Sequence, residues 1–122
     1  MSELDAQDFK NKQRAGWSAA AAGWEKWVDV FEQGGGAMSA RMVELAGIET
    51  GHRVLDIASG PGDPGLVAAE RVGPTGHVAL TDISGDMLEV AKRRAAKRGL
   101  AHVSFQETDA EGVDSGGELF DA

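Results

Sequence analysis

Apolar residues recur along the first part of the chain with the spacing of a helix. Between residues 17 and 33 they appear at every third or fourth position, which is typical of an amphipathic helix. The predicted apolar face comprises Trp17, Ala21, Trp24, Val28 and Phe31. Packing is the simpler interpretation of this face, and a lid over a ligand is the alternative. Three glycines at 34–36 predict a helix break, after which Ser39 is expected to cap a second, short helix that stops at Gly47.

From residue 53 onward, short apolar runs alternate with helical segments. The predicted strands are residues 53–58, 77–83 and 102–106, and residues 119–122 are expected to begin a fourth. Asp63 and Pro64 are predicted to open the first intervening helix, and Ser84 or Asp86 the second, which ends at Gly99. The inward positions expected for that second helix are Met87, Leu88, Ala91 and Ala95. Strand, helix, strand, helix, strand indicates a parallel α/β unit.

Length and charge narrow the classes of protein that the chain can represent. Its 122 residues suffice for one modest domain with a core. The formal net charge of −8 argues against nucleic acid or an anionic membrane as partner. The absence of cysteine excludes disulfides and thiol catalysis, and the scattered histidines predict no metal site. No apolar run could span a bilayer and the acidic start is no signal peptide, so a cytoplasmic location is expected.

The stretch VLDIASGPGDPG, residues 54–65, fits the dinucleotide fingerprint G-x-G-x-x-G, but its charges oppose a diphosphate. A pyrophosphate site needs backbone N–H donors and no carboxylates. Here Asp56 and Asp63 flank the turn without an intervening lysine or arginine, and Pro61 and Pro64 each remove a donor. At about 5 Å, one carboxylate repels one phosphate charge by roughly 3 kcal/mol. An NAD-linked oxidoreductase is therefore disfavoured.

For a positively charged nucleoside, the same carboxylates would attract the ligand instead of repelling it. S-adenosylmethionine carries a sulfonium and an ammonium beside an adenosine and has no phosphate. Asp82, at the end of the second predicted strand, is placed to accept hydrogen bonds from both ribose hydroxyls, each worth about 1.5–3 kcal/mol. Side chains at Gly60 or Gly62 would block a ligand from the turn. In open α/β sheets, ligands bind at the carboxyl ends of the strands, where these residues gather.

Three motifs carry a family resemblance. Residues 56–62, DIASGPG, resemble the first motif of class I S-adenosylmethionine-dependent methyltransferases, D-x-G-x-G-x-G, with alanine at the first glycine. TDISGDMLEVAKRRA resembles the segment after their second strand, and ETDAEG the loop after their third. The amino-acid sequence of nearly the whole chain is most similar to the ubiquinone/menaquinone-biosynthesis C-methyltransferase family, and this similarity includes the segments RMVELAGI and GHRVLDIA. Because the three motifs occur in the family's order and spacing, the resemblance is specific to this family.

This resemblance implies the architecture. We expect a Rossmann-like parallel sheet, the first three strands of a class I methyltransferase, preceded by N-terminal helices. Residues 1–48 would form a helical cap or lid, and residues 49–122 a truncated cofactor-binding unit without the C-terminal half of the sheet. The strand at 54–57 is central in the family, so its free edge would be bare here and would act as a pairing template. We therefore expect a homodimer, through that edge or by segment exchange, or else a fragment of a longer protein.

The resemblance also implies roles for individual residues. The methionine part of S-adenosylmethionine would meet the backbone of Ala58, Gly60 and Gly62, with Asp56 supplying negative potential near the ammonium. Asp82 would bind the ribose. The residues implied around the adenine are Ile83 and Met87, by packing, and Asp109 and the backbone N–H of Ala110, by hydrogen bonds.

The expected function follows from these assignments. The chain would be the cofactor-binding portion of a methyltransferase acting on a small-molecule acceptor, with a quinone-precursor-like carbon acid as the family-level expectation. The alternative is a non-catalytic S-adenosylmethionine-binding or dimer-forming half-domain. A carbon acceptor needs a base to remove a proton, and the sequence names no catalytic residue.

Overall fold

A computed structural model describes residues 5–122 as helices layered on a short parallel sheet. The elements in chain order are α1 (Ala6–Lys26), α2 (Val28–Leu45), β1 (Arg53–Ile57), α3 (Gly65–Val72), β2 (His77–Asp82), α4 (Gly85–Lys97) and β3 (Val103–Glu107), followed by a 3₁₀ turn at Ala110–Gly112. No helix within residues 5–122 is long and apolar enough to cross a membrane.

The sheet confirms the predicted α/β class. Its strands run parallel in the order β1-β2-β3, with Val54 beside Val78 and Leu80 beside Phe105. Helices α3 and α4 pack on the face presented by Val78 and Leu80, both of which are fully buried. Each strand lies within one residue of its predicted bounds. The sheet therefore brings the ends of β1, β2 and β3 to one edge, where a ligand site is expected.

The N-terminal helices differ from the prediction. Helix α1 begins at Ala6, where the side chain of Asp5 accepts hydrogen bonds from two backbone N–H groups of the first turn. The chain bends at Trp27, and α2 then continues through the three glycines at 34–36 without interruption. The predicted glycine break and the predicted cap at Ser39 are therefore wrong, whereas the predicted stop is confirmed by the positive φ of Gly47.

Packing explains why α2 tolerates its glycines. Each glycine in a helix interior costs about 1 kcal/mol relative to alanine. None of Gly34, Gly35 and Gly36 takes a positive φ, and a Cβ at any of them would meet no atom within 4 Å. The rest of α2 packs against α3 and α1, and those contacts offset the weak local propensity.

The two α/β helices begin differently. Ser84 caps α4 as predicted, because its hydroxyl accepts from the backbone N–H of Met87 at 3.2 Å, and Gly99 follows the end of that helix with φ 66°. Helix α3 begins after Pro64 without a side-chain cap. The prediction that Asp63 caps α3 is wrong, because its carboxylate pairs instead with Arg94 of α4.

The last residues cover part of the edge of β1 that was expected to be bare. Residues 119–122 do not form the predicted fourth strand. They still make two backbone hydrogen bonds to β1, from Asp121 N to Arg53 O at 2.7 Å and from Leu55 N to Ala122 O at 3.0 Å. The beginning of the β1 edge is thus partnered within the chain.

Replacing Gly34 by alanine tests the continuous α2 helix. Gly34→Ala should raise the free energy of unfolding by about 1 kcal/mol, because alanine has the higher helix propensity and its methyl group meets open space. Thermal unfolding followed by circular dichroism should show a rise in Tm of roughly 3–5 °C. The matched control is Gly47→Ala, which should lower Tm because φ is 69° there. A lower Tm for Gly34→Ala would contradict the helix.

Candidate functional site

A cavity of about 850 Å³ opens at the carboxyl ends of the strands. Its polar side is formed by the segments that follow β1, β2 and β3, and its apolar side by α1 and α2. The volume lies within the range of small-molecule sites, roughly 300–1,000 Å³. Six of the seven residues of the glycine-rich turn at 58–64 and residues of both N-terminal helices thus face the same space.

Seven of the nine residues assigned from the sequence line this cavity: Ala58, Gly60, Asp82, Ile83, Met87, Asp109 and Ala110. The other two, Asp56 and Gly62, do not line it. The residues predicted around the ribose and the adenine are therefore brought together, whereas the acidic residue predicted near the ammonium stands back from the space.

The glycines of the turn serve different needs. Gly60 has φ 55°, and a Cβ there would meet no atom within 4 Å, so its surroundings are open toward the cavity. Gly62 has φ 116°, and a Cβ there would lie 2.8 Å from Leu66 Cδ1, so this glycine allows the turn to pack against α3. Ala58 takes φ 59°, a left-handed conformation that costs an alanine roughly 1 kcal/mol. The glycine that the family motif has at this position would adopt the same left-handed conformation without that cost.

Asp82 joins the glycine-rich turn to α4. Its Oδ2 accepts from the backbone N–H of Gly60 at 2.8 Å, and its Oδ1 from that of Ser84 at 2.9 Å. The residue is only 8% exposed, yet it lines the cavity. Each carboxylate oxygen can accept a further bond. Asp82 therefore fixes the turn and still offers acceptors to a ligand.

Asp56 is a buried carboxyl beneath the turn. Burial raises its pKa to about 6; the nearby N–H of Gly65 opposes that rise, and the negative charges of Asp82 and Asp63 add to it. Within residues 5–122 its buried Oδ2 has no hydrogen-bond partner. A Cβ on Gly65 would lie 2.5 Å from that oxygen, so this glycine, which the sequence analysis did not single out, permits the close approach of α3 to β1.

Helix α1 holds the loop after β3. Lys10 pairs with both Asp109 and Glu111, and its hydrogen-bonded ammonium lowers the pKa of the Asp109 carboxyl. Arg14 donates to the backbone carbonyl of Ile83 at 3.2 Å. The residues predicted to surround the adenine are thus positioned by a helix that precedes them by about 70 to 100 positions in the chain.

A buried arginine that the sequence analysis missed holds the glycine-rich turn. Arg94 of α4 donates to the carbonyl of Pro61 at 2.6 Å and pairs with Asp63 and with Glu32 of α2. Helical spacing could have indicated that Arg94 is buried, because position 94 follows Met87 by seven residues and Ala91 by three and so lies on the inward face of α4. Asp63 is therefore compensated, and only part of the predicted repulsion toward a diphosphate applies.

The charges of the cavity follow from these pairs. Of the carboxylates that line it, Glu32, Asp63 and Asp109 have cationic partners. Among residues 5–122, Asp82 has backbone N–H donors but no lysine, arginine or histidine within ion-pair distance. The same residues contain no group of three or more side chains suited to hold a metal ion. The uncompensated charge that faces the cavity is negative.

The aromatic stripe of the N-terminal helices forms the apolar wall. Trp17, Trp24, Val28 and Phe31 all line the cavity, as do Met38 and Met42. The rings of Trp24 and Phe31 lie 4.5 Å apart between centroids and bridge the bend at Trp27. The stripe thus packs and faces the cavity at once.

Residues 48–122 match the family described as "Methyltransferase domain", which is more than half of the chain. The chain belongs to this family. It is similar to the ubiquinone/menaquinone biosynthesis C-methyltransferase UbiE of Pseudomonas fluorescens (strain SBW25), with 42% identity over 95 residues. That alignment covers 76% of this chain and 37% of the relative, so the chain spans well under half of the relative's length. The resemblance stated from the motifs is confirmed.

Solved structures support the same fold. A protein-L-isoaspartate O-methyltransferase superposes with a TM-score of 0.62 and 29% identity, over 68% of this chain and 26% of that one. Coclaurine N-methyltransferase, solved with N-methylheliamine and SAH, superposes with a TM-score of 0.63 and 25% identity, over 69% of this chain and 24% of its own. The predicted Rossmann-like class is confirmed.

The buried carboxyl of Asp56 predicts a pH-dependent stability. The pKa is about 6 in the folded protein against 3.8 ordinarily, so the folded state binds more protons between these values. The contribution of Asp56 is therefore fully present below pH 3.8 and is lost as the pH rises through 6. Asp56→Asn removes this loss, and its stability relative to the wild type should increase by up to about 3 kcal/mol between pH 4 and pH 7.5.

Urea unfolding of both proteins at several pH values, followed by tryptophan fluorescence, measures this difference. Exposed Asp86→Asn serves as control and should give a difference that is nearly independent of pH. A flat difference for Asp56→Asn as well would show that the carboxyl is already ionised in the folded protein at low pH.

Proposed function

We propose that this chain binds S-adenosyl-L-methionine and forms the cofactor-binding portion of a methyltransferase. The observation that carries the proposal is Asp82, an uncompensated carboxylate at the carboxyl end of β2 that is clamped to the N–H of Gly60 and faces the cavity. A cationic nucleoside with ribose hydroxyls matches that charge and those acceptors. Family membership and relatives that are named as methyltransferases support the same conclusion.

The arrangement of the cavity suggests how the cofactor is held. Asp82 accepts from the ribose hydroxyls, and Ile83 and Met87 pack against the adenine. Asp109 and the N–H of Ala110 bind the adenine edge, with Lys10 fixing the carboxylate in place. The backbone of Ala58 and Gly60 meets the methionine part, as open space around Gly60 allows. Asp56 acts from beneath the turn as a negative charge, and Gly62 acts within the turn by allowing it to pack against Leu66.

When bound, S-adenosyl-L-methionine supplies an electrophilic methyl group on its sulfonium. The contribution of this chain is to hold the donor with its methyl directed into a space that excludes water. The apolar wall of α1 and α2 contributes to that exclusion, because Trp17, Trp24 and Phe31 line the cavity. We infer that α1 and α2 act as the lid that the sequence analysis expected for residues 1–48.

The acceptor is a small molecule with an apolar part. Support comes from the side chains of Val28, Phe31, Met38 and Met42, which give the space beside the glycine-rich turn no polar anchor of their own. The matched relative is named for ubiquinone and menaquinone biosynthesis, and a quinone-precursor-like carbon acid fits this wall. Transfer of a labelled methyl group from the cofactor to such acceptors distinguishes an enzyme from a module that only binds.

Binding affinity tests the proposed role of Asp82. Asp82→Asn should weaken the affinity for S-adenosyl-L-methionine at least tenfold, about 1.4 kcal/mol, because a charged acceptor of the ribose hydroxyls becomes neutral. Calorimetric titration with S-adenosyl-L-methionine, S-adenosylhomocysteine and NAD measures it. Asp86→Asn is the matched control, since it removes one exposed carboxylate from the same helix start and should leave the affinity unchanged. Equal affinities of the two variants, or tight NAD binding, would refute the proposal.

A cytoplasmic location remains a prediction.

We also propose that the chain forms a homodimer. Support comes from the end of β1 beyond the contacts of residues 121–122, where Ile57 is half exposed at the rim of the cavity. Such an edge favours pairing with another strand. Size-exclusion chromatography with light scattering should give twice the mass of the chain at micromolar concentration. A monomer at all concentrations would contradict pairing.

A further inference from the structure

Three separate segments meet at the guanidinium of Arg94. Its Nη1 donates to the carbonyl of Pro61 at 2.6 Å, and its Nη2 donates to Asp63 Oδ2 at 2.9 Å and to Glu32 Oε1. The residue is 6% exposed. Pro61 and Asp63 belong to the glycine-rich turn, and Glu32 belongs to α2. One buried side chain of α4 therefore contacts both the turn and the helix that covers the cavity.

Glu32 completes this ionic cluster from the side of α2. Its Oε1 accepts from Arg94 and from Arg98, and both Glu32 and Arg98 line the cavity. A second ion pair between the N-terminal helices and α4 offers a comparison. Glu25 of α1 binds Arg93 through two hydrogen bonds of 2.8 and 3.1 Å, but this pair lies on the surface and neither residue lines the cavity.

Electrostatics makes the two pairs unequal. A buried charge that loses one partner is left poorly compensated, whereas an exposed ion pair such as Glu25–Arg93 contributes little because water screens it. The planar guanidinium presents donors in fixed directions, so a shift of Glu32 changes how Arg94 faces Pro61 and Asp63. The position of α2 and the conformation of the turn are therefore linked through one side chain.

We propose that Arg94 and Glu32 are positioning residues that couple closure of α2 to the conformation of the glycine-rich turn. The turn takes its ligand-competent form when Glu32 holds Arg94, and α2 covers the cavity in the same state. Neither residue needs to touch the ligand. The prediction about cofactor affinity rests on the proposed function, whereas the coupling itself is a property of the chain without ligand.

Two matched variants test the coupling. Glu32→Gln should weaken the affinity for S-adenosylhomocysteine about tenfold, in the middle of the range for coupled sites. Glu25→Gln makes the same change in an ion pair between an N-terminal helix and α4, and should leave the affinity unchanged. The fold should persist in Glu32→Gln, because Arg94 keeps Asp63 and Pro61 as partners, and Tm monitors this. Equal affinities of the two variants would overturn the proposal.

Hydrogen exchange supplies a test that needs no cofactor. In the ligand-free protein, Glu32→Gln should accelerate amide exchange both in α2 and in residues 58–65, with little change in β2 as an internal reference. Glu25→Gln should change neither region. Acceleration of α2 alone would overturn the coupling, whatever the affinity for cofactor. If the wild type bound no S-adenosylhomocysteine, the proposed function would fail and the exchange data would still decide the coupling.

Substitution of Arg94 distinguishes positioning from charge alone. Arg94→Lys keeps the charge but cannot serve the three acceptors with the same geometry, so its affinity should lie between those of the wild type and Arg94→Met. Rescue to wild-type affinity by lysine would show that charge suffices and would overturn the positioning role. Should Arg94→Met not fold, the comparison of Arg94→Lys with the wild type decides the point.

Discussion

The two hydrogen bonds that Asp82 accepts hold the ligand side of this fold together. One comes from the turn after β1 and the other from the start of α4, so a single carboxylate joins two consecutive α/β units at the strand ends. Nearby, the hydroxyl of Thr81 in β2 donates to the backbone carbonyl of Asp56 in β1 at 3.1 Å and so links these two strands. Backbone N–H groups and the N-terminus of α4 stabilise the buried charge without neutralising it. The anchor of the turn is therefore also the negative surface of the cavity.

Compensation by distant residues determines the electrostatic character of the site. The turn is acidic in sequence, yet Asp63 is paired with Arg94, and Asp109 with Lys10. These cations lie 31 positions after Asp63 and 99 before Asp109. A count of charges within the motif overestimates the repulsion toward an anion. Among the carboxylates that line the cavity, Asp82 is the one left without a cationic partner within residues 5–122, and Asp56 adds negative charge from beneath the turn.

Local signals explain which parts of the fold could be predicted from sequence. The strands and α4 were predictable because buried apolar runs, a serine cap at Ser84 and a glycine stop at Gly99 act within a few residues. The continuity of α2 was not, since packing against other helices overrides the weak propensity of glycines 34–36. The predicted cap at Asp63 was wrong and the role of Arg94 was missed for a related reason. A helix-cap preference is worth about 1 kcal/mol, and pairing of the Asp63 carboxylate with a buried guanidinium outweighs it. Of the cavity lining, the residues at the strand ends could be predicted, whereas the contacts by which Lys10, Arg14 and Arg94 hold the neighbouring loops could not.

Parallel topology explains why three strands suffice to present one coherent cavity. Each strand delivers its following turn to the same edge, so three strands suffice to gather the glycine-rich turn, Asp82 and Asp109 around one cavity. The N-terminal helices then supply what a sheet edge lacks, an apolar wall. Met38 of that wall is 69% exposed although it also lines the cavity, so the wall continues out of the cavity as apolar surface. An apolar acceptor that approaches along α2 would meet such surface before it reaches the glycine-rich turn.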